Sequence, residues 1–94
     1  MNPARRYTVH DDVTFQKLDD ETVVVHLGTG KIHHTNPTGS RVWELLQQGQ
    51  SLGEIIQTLQ AEFEASPAEL ERDVTEFLAE LERENVVETA EPGA

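Results

Sequence analysis

The segment Gly30–Leu46, GKIHHTNPTGSRVWELL, changes its hydrophobic period partway along, and that change limits the folds open to the chain. Up to Thr35 the residues alternate as in a strand. Beyond Pro37 the apolar residues Val42, Trp43, Leu45 and Leu46 recur at helical spacing. The switch falls at Asn36-Pro37, a helix-start signal. An asparagine side chain caps free amide groups, and proline at the first helical position sacrifices no hydrogen bond. A strand therefore runs straight into a helix with no linker between them.

Upstream, Val13–Leu18 and Thr22–Leu27 read as two more strands, separated by the polar turn Asp19-Asp20-Glu21. Gly28-Thr29-Gly30 forms a tight turn into the third strand, Lys31–Thr35. Tyr7–His10 is a candidate short strand. Downstream, the first helix runs from about Pro37 to Gln48 and stops at Gly49. Ser51-Leu52-Gly53-Glu54 is a capping box, and behind it Leu52, Ile55, Ile56, Leu59 and Phe63 form one stripe. Ser66-Pro67-Ala68-Glu69 opens a third helix with Leu70, Val74, Phe77, Leu78 and Leu81 on one side, ending near Asn85. Val86-Val87 is a possible return to the sheet. Residues 1–6 and 88–94 read as flexible tails around a single domain at 7–87. Strands followed by helices make an α+β order: a three-stranded antiparallel sheet, then three helices. The sheet would bury Val23, Val25 and Leu27 or the opposite set, since Val24 is apolar too. The third strand is a candidate edge, with one row of unpaired backbone groups.

Size and charge narrow the function. A chain of 94 residues holds one modest core and no deep cleft. It has no cysteine, which excludes disulfides and thiolate chemistry and fits a cytoplasmic protein. No apolar run approaches the roughly 20 residues that span a bilayer, and no hydrophobic segment follows Arg5-Arg6 as in a secretory signal. The net charge is −11 and is unevenly spread. Residues 1–36 carry four Lys/Arg and five Asp/Glu, whereas residues 37–94 carry three and thirteen. The helical half is thus the acidic half, the reverse of what nucleic acid requires. A basic peptide or protein would be steered towards it.

No catalytic constellation emerges. His33 and His34 are adjacent in a strand and point to opposite faces, so they do not chelate one ion together, and no third ligand joins His26. The carboxylates of the third helix (Glu69, Glu71, Asp73, Glu76, Glu80, Glu82, Glu84) lack an apolar pocket or a contrasting partner, and read as a solvated face. Glu76–Glu80 and Glu80–Glu84 are like-charged pairs at helical spacing, which weakly favours a cationic partner. There is no G-x-S-x-G and no phosphate-binding glycine loop. Phe77 and Leu78 diverge by about 100° on the helix. If Leu78 faces the core, Phe77 stands on its flank, either widening the core stripe or walling a groove beside the third strand.

The ordered set Gly30-Lys31, Asn36-Pro37-Thr38-Gly39, Trp43-Glu44-Leu45-Leu46, the capped Ser51–Leu59 helix, Asp73-Val74 and Phe77-Leu78-Ala79-Glu80-Leu81 resembles the PqqD-like family, the precursor peptide recognition elements of ribosomally made, modified peptides. The resemblance spans roughly residues 10–87. It implies a winged-helix-like fold and binding of a precursor's leader peptide as an added strand on the third strand, beside the third helix. Carried over by position, the peptide site is Lys31, Ile32, His33, His34 and Thr35 with Asp73, Val74, Glu76, Phe77, Leu78, Glu80 and Leu81. Such proteins often carry an aromatic residue near His33 or His34 and a leucine at the position of Thr35, so this strand is more polar. The resemblance favours the stand-alone proteins of lasso-peptide pathways, in which a separate leader peptidase is the maturation enzyme; a radical-SAM or lanthipeptide enzyme is the alternative partner.

The sequence thus predicts a peptide-binding adaptor with no catalysis, cofactor or metal, and with neither nucleic acid nor membrane as a partner. The rival is a winged-helix transcription regulator with the third helix as recognition helix, but seven acids against two arginines there suit phosphate poorly.

Overall fold

The computed structural model describes residues 2–90. Its elements are β1 (Arg6–Val9), β2 (Val13–Leu18), β3 (Glu21–His26), β4 (Ile32–Thr35), α1 (Pro37–Gln47), α2 (Leu52–Glu62), α3 (Pro67–Arg83) and β5 (Val87–Ala90). The three-stranded antiparallel sheet has the order β2-β3-β4, and the three helices follow it, as the sequence predicts. No helix among the described residues is long and apolar enough to cross a membrane.

The chain ends depart from expectation. Arg6–Val9 and Val87–Ala90 pair antiparallel as a separate two-stranded sheet, Arg6 opposite Ala90 and Val9 opposite Val87. Residues 2–6 and 88–90 are therefore hydrogen-bonded into the structure, not loose tails. Leu52 N donates to Arg5 O at 2.8 Å and Gly53 N to Pro3 O at 2.9 Å, so the N-terminal segment takes up amides from the start of α2. The physical reason is anchorage. Tyr7, Val86 and Val87 are buried in the core and hold their polar neighbours in register. Met1 and residues 91–94 lie outside the described residues.

The helix signals act as the sequence suggests. Asn36 Oδ1 accepts from Gly39 N at 2.7 Å, with Pro37 in the first turn. Ser51 and Glu54 complete a reciprocal capping box: Ser51 N donates to Glu54 Oε1 at 2.8 Å, and Glu54 N donates to Ser51 Oγ at 3.3 Å. Ser66 Oγ accepts from Glu69 N at 3.1 Å. Gly49 adopts φ +83°, the left-handed conformation that ends α1.

Helix α1 packs on one face of the β2-β3-β4 sheet, and α2 and α3 pack against α1 and each other. The buried set on β3 is Thr22, Val24 and His26, the alternative to Val23, Val25 and Leu27. Thr22 is accommodated because its hydroxyl meets Ser40 Oγ at 2.5 Å and its main chain bonds Thr35 Oγ1. His26 is accommodated because its Nδ1 accepts from the amides of Gly28 and Thr29 at 3.1 and 3.2 Å. A polar pair of this kind is not visible in a hydrophobic alternation. Trp43 fills the centre, with Phe15 edge-on to it at 5.4 Å. On α3, Leu70, Val74, Leu78 and Leu81 are buried. Each contributes about 1.5–3 kcal/mol, against a repulsion of about 0.2–0.5 kcal/mol for each like-charged pair on the outer face. Burial therefore holds α3 in a helix despite its charge.

Candidate functional site

The main-chain pattern of β4 fixes which residues present free hydrogen-bonding groups. His26 N donates to Lys31 O at 2.9 Å, and the register pairs Val24 with His33 and Thr22 with Thr35. On the other side of β3, Leu27 N donates to Asp12 O at 2.7 Å. Alternation then directs the amide and carbonyl of Lys31, His33 and Thr35 towards β3, and those of Ile32 and His34 outward. Among the described residues no strand pairs with that outer edge.

Helix α3 runs alongside the edge in the opposite direction, and contacts at both ends show it. Near the start of β4, Lys31 Nζ lies 2.6 Å from Glu84 Oε2 at the end of α3. That hydrogen bond from the ammonium holds the Glu84 carboxyl below its ordinary range. Near the end of β4, a pocket of about 180 Å³ is lined by Asn36, Thr38, Gly39, Val42, Asp73, Val74 and Phe77. Gly39 makes this junction close. A Cβ there would stand 3.2 Å from both Asn36 Oδ1 and Thr35 Cβ and 3.4 Å from Phe77 Cε1. Asp73, Phe77, Glu80 and Glu84 fall on one stripe of α3 by their spacing, with three carboxylates flanking one ring. A polar backbone edge, a mixed pocket and an acidic rim suit an extended peptide with a cationic or hydrogen-bonding side chain.

The expected site residues divide into groups. Asp73, Val74 and Phe77 share the pocket, and Phe77 is only half-buried, on the flank the sequence assigns to it. Ile32 and His34 offer the edge backbone and point exposed side chains away from the helices. His33 lies half-buried on the helix side, close enough to Glu84 to favour its ionised form, with Nε2 enclosed and unpartnered. Thr35 is buried and engaged with Thr22: its Oγ1 accepts from Thr22 N at 3.0 Å and donates to Thr22 O at 3.2 Å. Leu78 and Leu81 lie within the core beneath the groove, 0 % and 1 % exposed. Glu76 lines a different surface, with Ala68, Glu71, Arg72 and Thr75. The sequence missed the contribution of Thr38, Gly39 and Val42 to the pocket. Its signal was the Asn-Pro-Thr-Gly helix start, read there as a cap and as part of the resemblance but not as pocket lining.

His26 stacks on His10 with ring centroids 5.3 Å apart rather than meeting His33 or His34. Among the described residues no three His, Asp or Glu stand together as metal ligands.

The model of the family described as coenzyme PQQ synthesis protein D (PqqD) matches residues 21–87. The structure of TbiB1 in complex with the TbiA(beta) leader peptide is similar at 35 % identity and a TM-score of 0.81, over 85 % of this chain and 93 % of that one. Lasso peptide synthetase B1 complexed with the leader peptide, 19 % identical, shares the fold at a TM-score of 0.81 over 88 % of this chain and 98 % of that one. Among curated proteins none matches.

Proposed function

Because this chain belongs to the PqqD family, we propose that it is a leader-peptide-binding recognition element of a lasso-peptide pathway, acting in the cytoplasm as a non-catalytic adaptor. The leader of a ribosomally made precursor adds as a strand to β4 and is presented to a separate leader peptidase. The observation that carries this reading is the free outer edge of β4, at Ile32 and His34, running beside α3 and ending at the pocket of Asp73, Val74 and Phe77. Main-chain hydrogen bonds to the edge supply affinity, and the pocket selects one leader side chain. That TbiB1, 35 % identical to this chain, forms a complex with a leader peptide supports leader binding here.

Transcription regulation fits less well. In such a regulator α3 would enter DNA, and its exposed surface carries Glu71, Asp73, Glu76, Glu80 and Glu82.

Isothermal titration with the cognate leader tests the proposal. The expected result is about one peptide per protein, with the peptide intact by mass spectrometry afterwards. Cleavage by the pure protein, at a rate removed by substituting one carboxylate or histidine, overturns the adaptor reading. So does an absence of binding.

A further inference from the structure

The β2-β3-β4 sheet has a second face, which the helices leave uncovered. By the register, Thr14, Gln16 and Leu18 of β2, Val23 and Val25 of β3, and Ile32 and His34 of β4 point to it. Solvated faces of antiparallel sheets are ordinarily polar. Here the middle strand presents two half-buried valines, flanked by Leu18 and Ile32 at 49 % and 59 % exposure. A shallow concavity over Leu18, Val23 and Val25 lies at its centre. The only carboxylate of the three strands on this face is Glu21, at one end. An apolar, charge-depleted patch on a protein of net charge −11 has the composition of an interface core.

We propose that this open face is the seat of the maturation enzyme, which presents to it an apolar centre with a basic rim. The proposal rests on the leader-capture reading above and adds the surface that the enzyme uses. Two observations choose the occupant. The first is charge. Two copies, each of net charge −11, repel, and so do this protein and an anionic lipid surface. Asp19, Asp20 and Glu21 border the patch at the β2–β3 turn, where a basic rim would meet them. The second is continuity with the peptide edge. Ile32 and His34 turn their backbone groups to the added strand and their side chains to the open face. A leader docked on β4 extends the same face with its own alternate side chains. An enzyme seated there touches carrier and leader at once, and so distinguishes the loaded protein from the empty one.

Leu18 lies on β2, the strand farthest from β4, so it separates the two events. Leu18→Lys places a cation against the basic rim, and Gln57→Lys on the exposed side of α2 is the control. Anisotropy of a labelled synthetic leader reports capture, and biolayer interferometry of the pathway's purified leader peptidase on the loaded protein reports docking. For Leu18→Lys the leader dissociation constant should stay within about twofold of the parent, while peptidase affinity falls at least about tenfold; Gln57→Lys should change neither. If circular dichroism shows Leu18→Lys misfolded, Leu18→Gln serves, with the same expectation in smaller measure. Parent-like peptidase affinity in the folded variant overturns the proposal while leaving leader capture intact. A parent that elutes as a dimer and becomes monomeric with Leu18→Lys also overturns it, because the face then serves a second copy. Failure of the parent itself to bind leader removes the underlying reading and this one with it.

Discussion

Proline at His33 and at His34 should have opposite consequences, and the register says which is which. The amide of His33 points to β3, opposite Val24, which is fully buried. His33→Pro removes that donor and leaves a buried carbonyl unsatisfied, and its ring occupies the space between the strands. The cost is about 3 kcal/mol or more. The total stability expected for a domain of this size is about 5–14 kcal/mol, so melting should fall by about 12–24 °C. The amide of His34 points outward and serves no ladder bond in the free protein. There proline constrains only φ, which an edge strand accommodates for about 1 kcal/mol or less. The same substitution deprives a docked leader of one main-chain hydrogen bond and obstructs its approach, about 1.5–3 kcal/mol, or about 10- to 150-fold in dissociation constant. His34→Ala keeps the amide and should bind within about threefold of the parent. The assay is thermal melting by circular dichroism paired with leader titration. A folded His34→Pro that binds leader like the parent refutes strand addition at this edge. A His34→Pro that unfolds while His33→Pro folds refutes the register argument.

Other substitutions probe the groove and its support. Glu80→Lys, on the stripe of Phe77, should slow association with a positively charged leader more than Glu76→Lys, which lies off the groove, and added salt should erase the difference; equal rates in stopped flow would make the acidic rim irrelevant. Thr35→Val strips Thr22 N of its acceptor and Thr22 O of its donor, so it should cost about 1–3 kcal/mol, read as a lower melting temperature. The carboxyl of Glu62 is held below its ordinary value of 4.5, first by the hydrogen bond from Arg41. A depressed carboxyl stabilises the fold above its unfolded pKa and loses that contribution as pH falls through the folded one. Glu62→Gln should therefore lower the melting temperature at pH 7 but not near pH 3, and a difference that persists in acid would place its origin elsewhere.

The elements were largely legible because their signals are local. Asn36-Pro37, Ser51 with Glu54, and Ser66-Pro67 each act within one turn, and each caps the helix that follows it. The stripe of Leu70, Val74, Leu78 and Leu81 likewise needs only a period. What stayed illegible depends on partners far along the chain. The buried face of β3 carries Thr22 and His26, whose acceptance rests on Ser40, Thr35 and the loop amides of Gly28 and Thr29. For β1 and β5 the sequence offered a candidate strand at Tyr7–His10 and a return to the sheet at Val86-Val87, but not their pairing with each other, which joins distant parts of the chain. Glu76 and Glu80 were equivalent as charges. Only the position of β4 against α3 makes one of them a groove residue.

The edge of β4 is available for recognition because stability does not depend on it. Val24 and α1 bury the inner side of the sheet, and Thr35 ties the end of β4 back to β3 through its side chain. The four residues of β4 are thereby held through the main chain of His33 and Thr35 and through one hydroxyl, while the outward groups of Ile32 and His34 stay open. An exposed edge normally invites unspecific pairing. This one is short, carries two histidines and no run of apolar side chains towards the groove, and lies beside the carboxylates of α3. Under the proposed strand addition, a strand lacking the complementary charge would meet repulsion or unpaired polar groups there, whereas the right leader would satisfy edge, pocket and rim together. On the proposed reading, the acidity of α3 serves selectivity as well as association rate. Neutralising Asp73, Glu80 and Glu84 together should raise binding of unrelated extended peptides relative to the cognate leader. An unchanged preference among peptides in that triple variant would assign selectivity to the pocket alone.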